Sequence, residues 1–370
     1  MRGTCDPAIS CEWLPLGEQV IFDADPDVAG IGVIVSFFIG AWLSFAIAIL
    51  AYFLLSERED DDYMFRRADV ELRAMAKSLF QNTPFTNAIL HIRSRVSRNM
   101  MKKVCIMFCD QQLITGAAIL IMGYSKHCDI TQYHFYVAAN LSMACFATFQ
   151  ALLPFARSEL EDKLKKGWRM AWISVIFACI LILNFVIYND NFLAQDHFGL
   201  SMHCVWEKLP GHFTRQLMPY VVIGTLFDVW TFASILLCLY PSILEMQPVA
   251  YLVGKLNSVM ILPTWFYLQI KERNASSKPA FLWLLLEALV GPIFIIFFTI
   301  RELLDSQSMS LTRTFFYLIQ STNAVAWARM KAQKNGREGS EDTWGFGQIL
   351  PMLLLALPIL SLIETLFREY

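Results

Sequence analysis

Apolar blocks of about 20 residues recur along the chain, and about 20 is the length an α-helix needs to cross a hydrocarbon core. They fall at 31–55, 104–124, 133–153, 169–188, 218–239, 280–300, 312–328 and 346–366. The seventh block is short and polar, so the expected fold is an all-α polytopic transmembrane helix bundle of seven or eight spans. Composition agrees: 56% of the 370 residues are apolar and 17% charged, against about 45–50% and about 25% in ordinary soluble domains. Lipid bilayer is the expected surroundings for most of the surface. A net charge of −2 with no Lys/Arg stripe leaves nucleic acid without an electrostatic footprint to bind.

Orientation follows from charge. The first 30 residues carry six acids and one base, Arg2, around no apolar core, so no cleavable signal is expected and Ile31 to Leu55 serves as the anchor. Segments 56–103, 154–169, 240–279 and 329–343 hold 23 Lys/Arg, and segments 1–30, 125–132, 189–217 and 301–311 hold five. The positive-inside rule places the first set in the cytosol and the amino-terminal segment 1–30 in the lumen or outside the cell. The transmembrane helical domain then covers 31–366, with an amphipathic segment in 56–103 on the cytosolic membrane face. A second apolar run, Val249 to Leu268, is broken by Lys255, Asn257 and Pro263. It reads as interfacial or re-entrant, because a crossing there would reverse the later topology.

Four of the nine cysteines, Cys5, Cys11, Cys128 and Cys204, fall on the outer segments, where disulfides persist. Three connectivities exist; close spacing favours Cys5–Cys11 and leaves Cys128–Cys204 to tie two outer segments together. The remaining five lie in spans, where a free Cys is most often a small packing residue.

Ionisable side chains inside a bilayer cost roughly 2.5–3.5 kcal/mol even on insertion scales, so each needs a reason. Asp110, Asp228 and Glu287 are the three that stand out, all near or below the midplane on the cytosolic side. They are the candidate catalytic groups, expected to share one cavity, because a carboxyl in an apolar site can serve as a proton donor. Gln111, Gln112, Trp283 and Asn323 are the candidate substrate-binding residues. The plainer role of the amides is interhelical hydrogen bonding, and that of most span tryptophans is anchoring at the interface. Trp283, four residues before Glu287, shares its helix face, and an aromatic ring there would stabilise a cationic intermediate. No H-E-x-x-H, His-box, G-x-S-x-G, P-loop or dinucleotide fingerprint is present. Neither a metal nor a cofactor is expected.

Several strings are distinctive: Cys5-Asp-Pro-Ala-Ile-Ser-Cys11, Asp25-Pro-Asp-Val-Ala-Gly-Ile-Gly-Val33, Cys109-Asp-Gln-Gln-Leu-Ile-Thr-Gly116, Tyr133-His134 and Trp344-Gly-Phe-Gly-Gln348. Together they resemble a large group of fungal polytopic membrane proteins associated with the membrane-bound terpene cyclases of ascofuranone- and macrophorin-type meroterpenoid pathways. The resemblance implies a cofactor-independent cyclase of secondary metabolism, in which an acid protonates the terminal alkene or epoxide of a farnesyl-type chain. Asp110, in the Asp-Gln-Gln string, would be the donor or its partner. Asp228 and Glu287 have no such string behind them. The partner implied is a hydrophobic prenylated small molecule, and the setting is the endoplasmic reticulum or another endomembrane. The competing reading is a seven- or eight-helix receptor or sensor, from the external amino terminus and the Cys128–Cys204 tie. A transporter is disfavoured by the absence of inverted repeats.

Overall fold

The computed structural model describes residues 20–55, 67–79, 96–160, 162–187, 198–208, 218–240, 306–334 and 336–368, with isolated positions between 242 and 299. Among the described residues seven long helices dominate: α2 (Ile31–Leu54), α4 (Arg98–Ser125), α5 (Gln132–Ala156), α6 (Lys163–Ile187), α8 (Met218–Leu239), α9 (Gln307–Lys334) and α10 (Phe346–Arg368). Shorter helices are α1 (Pro26–Ala29), α3 (Arg67–Leu79) and α7 (Met202–Lys208). Five of the long ones, α2, α4, α5, α6 and α8, are long and apolar enough to cross a membrane. The chain divides into two compact units, one of Met1–Ser56, Asn87–Ile235 and Leu311–Tyr370, the other of Glu57–Thr86 and Leu236–Ser310.

In the first unit α5 is the most enclosed of the candidate spans and packs against α4 and α2, while α10 lies on α2. The outward surface is apolar: Val222, Ile223, Leu226 and Trp230 of α8 and Leu353, Leu354 and Leu357 of α10 are exposed. Ser44, Gln112, Ser142 and Thr148 are buried. Water would not favour that distribution, and hydrocarbon does. Small residues let the central helices approach. Ser142 Oγ donates to the Gly116 carbonyl at 2.9 Å, and a Cβ on Gly116 would stand 2.9 Å from that of Cys145. Gly116→Val is therefore expected to wedge α4 from α5 and cost about 1–3 kcal/mol in detergent unfolding. A variant as stable as the parent would show that the two helices do not meet there.

Helix starts follow local chemistry. Asp25 caps α1, accepting from the Asp27 amide, with Pro26 in the first turn; Ser97 caps α4 and Thr131 caps α5. Two short strands, β1 (Phe22–Asp23) and β2 (Arg337–Glu338), pair in parallel, a small β element in an otherwise α-helical fold. In the second unit, Asp69 of α3 is fully buried and accepts from the Gln307 and Ser308 amides at 3.0 and 2.8 Å, neutralising the first turn of α9.

The direction of α9 corrects the sidedness read from the sequence for 329–343. Thr314 bonds the Ala147 carbonyl and Arg313 bonds Gln150, both near the carboxyl end of α5. The other end of α9 brings Trp327 against Phe198, and β2 beside β1. Residues 329–343 thus share an end with the amino-terminal segment, and α10 runs back alongside α2 from there. α8 and α9 are antiparallel neighbours, joined by Phe227 against Tyr317 and Thr231 against Arg313. The expected span 280–300 lies outside the described residues. The basic bias survives: moving the four Lys/Arg of 329–343 outward leaves 19 against nine. Two of those four, Arg329 and Arg337, are ion-paired with acids.

Candidate functional site

Two polar constellations stand inside the first unit, one in mid-bundle and one at the amino-terminal end. The mid-bundle one is a small recess between α2, α4, α5 and α10, whose empty volume of about 250 Å3 includes space open to the surroundings. Ser36, Phe37 and Gly40 face Gln111, Gln112 and Thr115, with Cys145, Pro351 and Leu355 completing the lining. Gln112 is buried and accepts a long bond, 3.4 Å, from Thr148. Gln111 Oε1 is buried without a hydrogen-bond partner. Among the described residues that line the pocket, none is charged. Its chemistry is that of a neutral donor and acceptor in an apolar slot.

Asp110 does not line this pocket; it turns toward α6. Arg169 grips it with a two-point fork, Nε to Oδ1 at 2.6 Å and Nη2 to Oδ2 at 2.5 Å. The guanidinium also donates to the Lys165 carbonyl at 2.8 Å and lies over the Trp168 ring. Both carboxylate oxygens are occupied as acceptors, so a proton on either breaks one arm of the fork. Asp228 is half-buried on α8 and within electrostatic reach of Arg313 on α9. Arg313 in turn bonds Gln150 and Thr231 and lies over Phe227. The two described acids each have an arginine on a different helix, and a charge at this depth is tolerable when paired. Glu287 and Trp283 lie outside the described residues. Asn323 is exposed and does not join the pocket. The inward face of α9 is Thr314, Leu318, Ser321, Val325 and Ala328, and Asn323 is two residues from both Ser321 and Val325.

Among the sequence-singled cysteines, Cys128 and Cys204 are disulfide-bonded, and Cys105, Cys109, Cys145, Cys179 and Cys238 are free thiols. Cys5 and Cys11 lie outside the described residues. No group of three His, Cys, Asp or Glu suited to a metal ion exists among the described residues.

The constellation at the amino-terminal end centres on a residue that sequence reasoning did not single out. Glu341, in the polar stretch after α9, is completely buried. Its Oε2 accepts from the Tyr133 hydroxyl at 2.9 Å and from Arg337 Nη1 at 2.5 Å, with Arg329 Nε at 3.8 Å. Its Oε1 has no hydrogen-bond partner and stands 3.4 Å from His134 Nε2. Its backbone carbonyl accepts from Ile31 and from Gln348 Nε2, while Gln348 Oε1 accepts from the Gly32 amide at 2.8 Å. One residue thus clasps α2, α5, β2 and α10. Gly32 is required by this approach, since a Cβ there would meet Gln348 at 2.8 Å. The clasp stands one turn above the pocket, as Gly32 and Gln348 precede Ser36 and Pro351 by four and three residues. Three of the distinctive strings, at Asp25, Tyr133-His134 and Trp344 to Gln348, converge here, and the Asp-Gln-Gln string supplies the pocket.

Against known proteins, the chain is 25% identical over 118 residues to the elsinochromes biosynthesis cluster protein HP3 of Elsinoe fawcettii. The match covers 32% of this chain and 41% of that protein. No family model matches, and no solved structure matches. The similarity is distant and partial, to a protein of a fungal secondary-metabolite cluster, on a chain with membrane-like helices.

Proposed function

We propose that this is an integral membrane protein of a secondary-metabolite pathway that holds a neutral, lipophilic small molecule in the pocket between α2, α4, α5 and α10. The observation carrying the reading is the paired amides Gln111 and Gln112, with an unpartnered acceptor, facing a slot with no charged residue among its described lining. A molecule dissolved in the bilayer reaches such a slot sideways, presenting a carbonyl or hydroxyl to the amides and leaving its apolar remainder toward Phe37, Pro351 and Leu355. The partial likeness to a cluster protein supports the pathway setting. The amino-terminal end faces the lumen of an endomembrane, most simply the endoplasmic reticulum, with a Cys128–Cys204 bridge on that side.

The reaction to which the resemblance points is acid-initiated cyclisation of a farnesyl or epoxyfarnesyl chain. Asp110 adjoins the pocket residue Gln111 in sequence, and it acts as donor once substrate opens the Arg169 fork and the freed carboxylate takes up a proton from solvent, the proton it then passes to the alkene or epoxide; Asp228, Glu287 and Trp283 remain candidates for the same chemistry. Incubating microsomes with farnesylated and epoxyfarnesylated aromatic substrates, followed by mass spectrometry and NMR, tests this directly. The expected result is an isomer of unchanged mass that disappears in Asp110→Asn and weakens in Gln112→Leu. Substrate bound but unchanged would sink the cyclase and favour the receptor or sensor reading, whereas flux that collapses with the proton gradient would indicate a transporter.

A further inference from the structure

The Asp25 backbone N–H donates to His134 Nε2 at 3.1 Å. A backbone amide can only donate, so Nε2 is an acceptor and the ring proton sits on Nδ1, where Thr131 Oγ1 takes it at 2.7 Å. In this form the buried Glu341 Oε1 faces a nitrogen lone pair at 3.4 Å and receives no hydrogen bond. Two acceptors held together out of water are unfavourable, and a proton between them removes the conflict.

We propose that His134 and Glu341 form a lumenal proton switch that sets how firmly α2 and α10 close over the pocket. This rests on the pocket reading above and adds its regulation. With neutral His134, Nε2 holds the Asp25 amide and so the start of α1. When the imidazole takes a proton from solvent, Nε2 carries a hydrogen, turns from acceptor to donor, and gives it to Glu341 Oε1; the Asp25 amide is then released. Only one of the two bonds exists at a time.

The surrounding charges are accounted for. Arg337 and Arg329 and the Tyr133 hydroxyl engage the other carboxylate oxygen, Oε2. Arg329 also holds Asp342, and the Asp25 carboxylate faces Lys126 at 3.9 Å. The rings of Phe22 and Tyr133 pack on the imidazole. None of these takes the proton position between Nε2 and Oε1. Imidazole ordinarily changes charge between pH 5 and 8, the range that lumenal compartments span. Transmission runs through Glu341, whose backbone holds Ile31 and Gln348, the residues that seat the first turns of α2 and α10.

Amide hydrogen exchange on the protein in nanodiscs, corrected for the intrinsic pH dependence of exchange, tests the switch without any ligand. From pH 7.5 to 5.5 the protection of Asp25 is expected to fall about tenfold, the loss of one hydrogen bond, with a smaller parallel fall at Gly32. His134→Gln keeps an acceptor that cannot be protonated and is expected to flatten both profiles. Equal protection at the two pH values, or the same fall in His134→Gln, overturns the switch. A fall at Asp25 with Gly32 unmoved overturns the coupling to the pocket. Should His134→Gln fail to fold, imidazole 15N shifts of the parent protein decide: a neutral Nδ1–H ring at pH 7.5 and an imidazolium at 5.5 support the switch, and an unchanged ring overturns it. Failure of ligand capture would leave these results untouched, and failure here would leave the pocket reading standing.

Discussion

Glu341→Ala is expected to destabilise the first unit by about 3–5 kcal/mol, because removing one member of a buried ionic cluster strands the others. Arg337, packed against Glu341 Oε2, would lose its partner where water cannot replace it, and the buried Tyr133 hydroxyl would lose its acceptor. Arg329 keeps Asp342 and is less affected. Glu341→Gln retains an acceptor and should cost less, about 1–3 kcal/mol. Thermal unfolding in detergent, followed by circular dichroism, reads both. If Glu341→Ala melts with the parent, the clasp is not what joins β2 and α10 to α2 and α5.

The second large effect concerns the Asp110–Arg169 fork. Asp110→Asn should cost about 2–3 kcal/mol, less than a fully buried pair would because the carboxylate is partly exposed. Arg169→Met should cost a similar amount, but the double variant should cost less than the sum of the two, with a coupling of about 1–3 kcal/mol. Strict additivity would show that the fork carries no net energy. The same cycle separates structure from chemistry. If Asp110 only positions α4 against α6, Asp110→Asn/Arg169→Met recovers any activity that Asp110→Asn lost; if Asp110 delivers the proton, it does not.

Apolar runs are read reliably because hydrophobic length is a local property, and the helices at 31–54, 98–125, 132–156, 163–187 and 218–239 begin and end within six residues of the spans expected at those places. Sidedness beyond α8 was not legible in the same way. Positive-inside counting treats every Lys and Arg alike, yet Arg329 and Arg337 are neutralised by Glu341 and Asp342 through contacts that no linear count contains. The role of the polar stretch 331–343 is not legible locally, because its deeply buried charge, Glu341, finds Tyr133 across 208 residues of sequence. Asp110 stood out correctly as a costly charge needing a reason, but the reason, Arg169, was counted with the cytosolic flank. Gln111 and Gln112 were legible because amides in an apolar run are rare wherever they point. Asn323 looked equivalent on that criterion and faces outward, since composition does not tell which side of a helix packs.

The central claim is that a neutral lipophilic molecule occupies the slot beneath the clasp. Photo-crosslinking in microsomes with a diazirine-bearing farnesylated phenol, followed by peptide mapping, tests it most directly. The account expects label on the α2, α4 and α10 peptides containing Phe37, Thr115 and Leu355, competed by the unlabelled phenol and reduced at least about tenfold by Gln111→Leu/Gln112→Leu, the loss of roughly 1.4 kcal/mol of binding. Label spread over the exposed faces of α6 and α8, with no competition and no response to the paired substitution, would contradict it.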